Sequence, residues 1–274
     1  MSVKQDPSGR RSVQVEVEVP GTPEEVWAAI ATGPGVSAWF VPTRIDGRVG
    51  GKIALDFGGG MVSSSEITQW EPPYRFVAED RTWLQGGPPV ATEWIVEARA
   101  GGTCVVRVVH SLFADTADWD DQLESTENGW PGFFRVLRHY LTHHRGQRSA
   151  KMQVMVPASG TVDEIWATLA RAFGIESAQP GQRVLARAGD APPLEGVVEH
   201  VDRVPQGTGV HARLSAPAPG VLLLSAMACS GMQMAMLQAY FYGDGAEAAA
   251  RDQAAWQAWL GQHFPAPTTD HAQA

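Results

Sequence analysis

Cysteine is nearly absent: the 274 residues include two, Cys104 and Cys229, in different halves and each inside an apolar, strand-like run. A free thiol in such a run behaves as a small hydrophobe, so no disulfide framework is expected. Also missing is any continuous apolar run of about 18 residues, which excludes a membrane-spanning helix. The opening MSVKQDPSGRRSV has no hydrophobic segment after its charges, so no secretory signal is expected and a cytoplasmic location is. No long Lys/Arg cluster occurs, and 21 basic against 30 acidic residues give a formal charge of −9. Nucleic acid and anionic membranes need a positive footprint, so neither is expected as a partner. A neutral or weakly charged small ligand suits the chain better. Finally, there is no P-loop, glycine-rich nucleotide fingerprint, nucleophile elbow or CxxC pair. No cofactor is expected, and no catalytic signature stands alone.

What is present is periodic. Val13, Val15, Val17 and Val19 alternate with Gln14, Glu16 and Glu18, the pattern of a half-buried strand. PGTPEEVWAAIA follows as a capped helix: Thr22 caps, Pro23 takes the first helical position, and Glu24 and Glu25 sit where the helix dipole favours acid. GVSAWFVP reads as a short helix bringing Trp39 and Phe40 inward. Strand-like runs then fall near 43–48, 51–57, 61–70, 74–83 and 91–110, the last holding a GGT turn and so two strands. Short Gly- and Pro-rich turns between them make an antiparallel meander the simplest topology. In 125–144 Trp130, Phe134, Leu137 and Leu141 recur at helical spacing, with Gly129 and Pro131 marking a start or a kink. This helix needs a sheet to lie on.

After the polar linker RGQRSAK the pattern starts again. MQVMVPASGTVDEIWATLARAFG repeats VEVEVPGTPEEVWAAIATGPG, with Thr161, Glu164, Ile165 and Trp166 matching Thr22, Glu25, Val26 and Trp27. Strands near 182–189, 194–204, 208–216, 220–229 and 232–242 precede a helix over 246–263, in which Trp256, Trp259 and Leu260 stand in for Trp130, Phe133 and Phe134. A repeat of this length means duplicated domains.

The order of strand, GTPEEVWAAI, WFVP, PPYRF, GGTCVVRVVHSLF and a final helix opening with GW resembles the activator of heat-shock protein 90 ATPase homologue-like group of the START-like, or SRPBCC, superfamily. The resemblance covers residues 13–144. The second half keeps the first helix and a YFYG strand end but lacks the GW and GT motifs, and reads as a diverged copy. The resemblance implies an α+β chain of two helix-grip domains, 12–144 and 152–264, each a curved antiparallel sheet wrapped around a long C-terminal helix with a cavity between. Superfamily members bind lipids, sterols, hormones or polyketides there, and some are cyclases or aromatases.

Strand parity then selects what the cavity sees. The faces of Thr92, Trp94 and Val96, of Cys104, Val106, Val108 and His110, and of Tyr74, Phe76, Ala78 and Asp80 are expected to point inward. Trp39, Phe40, Phe76, Trp94, Val106, Val108, Trp130 and Phe134 would form the ligand wall, with His110 and Asp80 as its polar groups. A histidine near a carboxylate could orient a ligand or act as general base. The plainer reading is that His110 bonds a backbone group and Asp80 pairs with Arg81 or a neighbour at the rim. In the second half Met232, Met234, Met236, Gln238, Tyr240 and Tyr242 share one strand face, which could line a second pocket, with Met234 and Met236 as ligand contacts, or an interdomain contact. His139 and His143 have the i, i+4 spacing of helical zinc sites, but no acidic or cysteine third ligand lies near in sequence. In the last turns they read as solvated, so no metal is expected.

Three functions follow as expectations. The first is binding of a hydrophobic small molecule, lipid or polyketide-like, between sheet and C-terminal helix. The second is a cyclase or aromatase-type enzyme using Asp80 and His110. The third is a co-chaperone-like module contacting a protein partner. Homodimerisation through the second domain is compatible with the first.

Overall fold

The computed structural model describes residues 3–265 apart from 59, 84, 85, 115, 205, 206, 230 and 231; the Cys229 side chain lies outside the described set. The chain forms two compact units, one ending at Arg148 and the other starting at Ser149. Both are α+β, an antiparallel sheet with a long helix on one face.

Unit 1 comprises β1 (Lys4–Gln5), β2 (Arg10–Pro20), α1 (Pro23–Ile30), α2 (Gly33–Ser37), β3 (Thr43–Ile45), β4 (Lys52–Gly58), β5 (Met61–Glu71), β6 (Arg75–Asp80), β7 (Val90–Arg99), β8 (Thr103–Phe113) and α3 (Asp120–His143). Its sheet runs β1-β2-β8-β7-β6-β5-β4-β3, so β3 to β8 meander and β2 closes against β8. The register opposes Phe76 to Trp94, Trp94 to Val108 and Thr92 to His110. Side chains directly opposite share a face, and Phe76, Trp94, Val106, Val108 and His110 are all buried on the side that α3 covers.

The local chemistry explains the helices. Thr22 Oγ1 accepts from the Glu25 N–H at 3.3 Å while the Glu25 carboxylate accepts from the Thr22 N–H at 2.8 Å, a reciprocal capping box that satisfies two end donors. α2 is held by Thr32, which accepts from Gly35 N–H and donates to the Ala28 carbonyl. A Cβ at Gly35 would stand 2.0 Å from that carbonyl oxygen. Gly35→Ala is therefore expected to cost about 1–3 kcal/mol through forced backbone displacement; an unchanged urea midpoint would show that α2 yields freely. α3 starts at Asp120, earlier than the apolar stripe suggests, and runs through Gly129 and Pro131. Leu123 buries its first turns, while a two-pronged pair from Arg11 to Asp120 ties the helix start to β2.

Unit 2 comprises β9 (Ser149–Pro157), α4 (Val162–Ala172), β10 (Arg183–Ala186), β11 (Leu194–Val204), β12 (Gly207–Ala216), β13 (Gly220–Cys229), β14 (Met232–Tyr242) and α5 (Ala246–His263), with sheet order β10-β11-β12-β13-β14-β9. Thr161 and Glu164 repeat the capping box of Thr22 and Glu25. Met152, Val154, Leu222, Leu237, Ala239 and Phe241 form the sheet side of a core that Trp256 and Leu260 of α5 complete. Met234, Met236, Gln238 and Tyr240 alternate with these core residues and occupy the other sheet face. Met234 and Met236 therefore do not line a space between sheet and helix. Period two fixes that exclusion once Leu237 and Ala239 are known to face α5.

Candidate functional site

The residues expected to form a ligand wall in unit 1 are brought together, but as a packed cluster. Trp130 stacks on Phe40 with ring centres 5.5 Å apart and meets Trp94 edge-on at 5.2 Å. Trp94 in turn touches Trp39, Phe76 and Phe134. Trp39 is fully buried and donates to the Ala29 carbonyl at 3.0 Å, which satisfies its one polar atom inside the core. Tyr74 departs from expectation: it lies one residue before β6 and is 53% exposed.

His110 sits at one end of this cluster. Its Nε2 lies 2.7 Å from Trp130 Nε1, and its Nδ1 lies 3.1 Å from Thr92 Oγ1. An indole N–H can only donate, so Nε2 must accept and carries no proton. The ring proton is on Nδ1 and is donated to the Thr92 hydroxyl. Burial drives the imidazole's pKa down to about 3, because no charge stands by to stabilise the protonated form. His110 is thus a neutral link in a Trp130–His110–Thr92 chain, its partners being side chains where a backbone group was expected.

Asp80 does something else. Its Oδ1 accepts from the Thr82 and Trp83 N–H groups at 2.7 and 3.0 Å and from the Thr82 hydroxyl, and its Oδ2 accepts from Ser63. It folds the connection after β6, while Arg81 pairs with Glu79. None of the hydrogen bonds of Asp80 or His110 joins the two among the described residues, so the structure does not assemble them as an acid–base couple.

That connection carries Trp83, whose ring meets His110 edge-on at 5.3 Å while remaining 43% exposed. Beside the imidazole, Trp83, Val90, Leu112, Gln122, Leu123 and Thr126 leave a hollow of about 10 Å³, room for roughly one water. The hollow was hidden in the sequence because Gln122 and Leu123 precede the apolar stripe, and Trp83 reads as the end of a strand.

The same positions in unit 2 show what is particular to unit 1. His110 opposes Val13 on β2 and Thr92 on β7; in the same places of the second sheet Phe241 opposes Ala150 on β9 and Gly220 on β13. Trp256 is buried like Trp130, yet its Nε1 has no hydrogen-bond partner among the described residues. The polar chain is present in the first unit and replaced by apolar groups in the second.

A family model described as activator of Hsp90 ATPase homolog 1-like protein matches residues 20–142, from the end of β2 to the last turn of α3. The matched segment lies within unit 1. Both units have an antiparallel sheet with a long helix on one face. Among solved structures, CalU16 from Micromonospora echinospora is similar at 22% identity over 52% of this chain and 83% of that one, with a TM-score of 0.41. DynU16, from the dynemicin biosynthetic locus, is 17% identical over 91% and 96% with a TM-score of 0.42. The di-domain ARO/CYC BexL from the BE-7585A biosynthetic pathway is 14% identical over 91% of each chain with a TM-score of 0.43. No curated protein matches the sequence. Among the described residues no helix is long and apolar enough to cross a membrane.

Proposed function

We propose that unit 1 binds a small, uncharged, largely apolar molecule, lipid or polyketide-like, between its sheet and the first half of α3. The observation that carries this reading is the hollow at His110. It lies at the end of an aromatic cluster, is bordered by neutral polar groups with no Lys or Arg among its described lining residues, and is flanked by a half-exposed tryptophan on a connection held by one carboxylate. A ligand of ordinary size needs a few hundred Å³. Binding therefore goes with outward movement of the Trp83 side chain, which is already half-exposed. His110 with both nitrogens engaged does not favour a general-base role, so the binding reading stands ahead of the enzyme reading.

Native mass spectrometry of the purified chain, followed by solvent extraction, tests this. A stoichiometric apolar adduct is expected, and Thr126→Trp, which fills the hollow from α3, should abolish it. A bare mass for the original chain, together with no saturable uptake of an apolar fluorescent probe, would sink the reading.

A further inference from the structure

We infer that Thr92 is the hydrogen-bond donor of the binding site beside His110, and that the ligand it selects carries a carbonyl or similar acceptor oxygen on its apolar frame. The inference rests on the reading that unit 1 binds an apolar molecule there. It follows from the direction of the Trp130–His110–Thr92 chain. Trp130 Nε1 donates to His110 Nε2 at 2.7 Å, so the imidazole proton is on Nδ1 and is donated to Thr92 Oγ1, 3.1 Å away. A hydroxyl that accepts in this way still has its own proton to give. Every donor in the chain points the same way and each bond polarises the next, which makes the terminal O–H a stronger donor than an isolated hydroxyl.

The protein supplies no acceptor for that proton. Thr92 makes no other side-chain hydrogen bond among the described residues. Its ladder neighbours on the inner face are Ala78 on β6 and His110 on β8, and alternation along β7 places Val90 and Trp94 beside it. Alanine and valine side chains have no acceptor, an indole N–H only donates, and the near nitrogen of His110 already carries a proton. Asp80 stands opposite Val90, but its carboxylate oxygens are engaged by Thr82, Trp83 and Ser63.

The hydroxyl is also within reach of a ligand. Thr92 is half-buried whereas Val90 and Trp94 on either side of it are buried, so the inner face is not sealed at this point. Val90 and His110, its neighbours along and across the sheet, both line the hollow. In the free protein solvent reaches this hydroxyl. A ligand that covers it without an acceptor leaves a donor unpaired, whereas a carbonyl replaces the lost solvent bond, so the site discriminates between the two. Gly220 takes the place of Thr92 in unit 2, which therefore has no such donor.

The test compares fluorenone with fluorene, planar molecules of nearly the same shape with a carbonyl in one where the other has a methylene, as competitors of an apolar fluorescent probe bound to the full chain. Fluorenone is expected to bind about three- to tenfold more tightly, the range one hydrogen bond contributes, with its carbonyl stretch in the complex at lower frequency than in hexane. Thr92→Val should remove both the preference and the shift, and Thr92→Ser should keep them. Thr92→Val also leaves His110 Nδ1 without its acceptor and lowers stability, so the quantity read is the ratio of the two affinities, to which that loss is common. If Thr92→Val does not fold, the ratio and the stretch in the original chain decide. Equal affinities, a bound probe that fluorenone does not displace, or a preference that survives Thr92→Val overturns the inference and leaves the binding reading standing. No saturable binding of the probe or of either molecule overturns the binding reading, and this inference with it.

Discussion

Acidification from pH 7 to pH 4 is expected to remove about 3 kcal/mol of stability from unit 1 through His110 alone. The folded-state pKa is about 3 and the unfolded value about 6.5, so the unfolded chain takes up the proton first. For a histidine depressed in this way, the contribution is fully present above pH 6.5. It is lost as pH falls toward 3, at up to about 1.4 kcal/mol per pH unit. His144, also lowered, adds to the same slope, so the measurement must be differential. Urea unfolding of the full chain at several pH values should show the unit 1 transition falling steeply with acid. In His110→Gln, whose amide can accept from Trp130 and donate to Thr92 without titrating, much of that slope should vanish. Equal slopes in the two proteins would mean that His110 is protonated at little cost in the folded state. Unit 2, with Phe241 in the corresponding place, lacks this source of acid sensitivity.

Replacing Trp130 should be the most damaging single change in unit 1. It contacts Phe40, Trp94, Phe133 and Phe134 and supplies the hydrogen bond to His110. Trp130→Ala is expected to cost about 3–5 kcal/mol from lost burial and a residual cavity. Trp130→Phe separates the polar part, because the aromatic contacts largely persist while His110 Nε2 is left buried without a donor, at about 1–3 kcal/mol. Adding His110→Phe recreates the apolar pairing of unit 2 and should recover part of that loss, a coupling a double-mutant cycle on urea midpoints reads directly. If Trp130→Phe unfolds at the wild-type denaturant concentration, the indole–imidazole bond contributes nothing net.

Much of this was legible in the chain. The valine alternation gave β2 its inward face, and the parity of TEWIVEA and CVVRVVH placed Trp94, Val108 and His110 on one side of the sheet. Thr22 and Glu25, repeated as Thr161 and Glu164, announced both capping boxes and with them the duplication. These are local signals, carried within a few residues by side-chain period and end-group chemistry. Harder to read were α3's passage through Pro131, which packing and end contacts over 24 residues outweigh, and the sheet face of Met234 and Met236. In β14 both parities are apolar, so period alone could not say which face α5 covers.

The sequence by itself determined the two-fold repeat, the helix-on-sheet plan of each half, and which residues of unit 1 share its interior. All follow from periodicity and from caps spaced three residues apart. Only the tertiary structure decided that His110 is a neutral link between Trp130 and Thr92, that Asp80 serves its own connection, and that a hollow of about 10 Å³ lies beside His110 at the end of the aromatic cluster. Those outcomes join residues up to 20 positions apart or depend on the summed volume of many side chains at once. Pairing of buried polar atoms and filling of space are properties of the packed interior, and no stretch of sequence contains them.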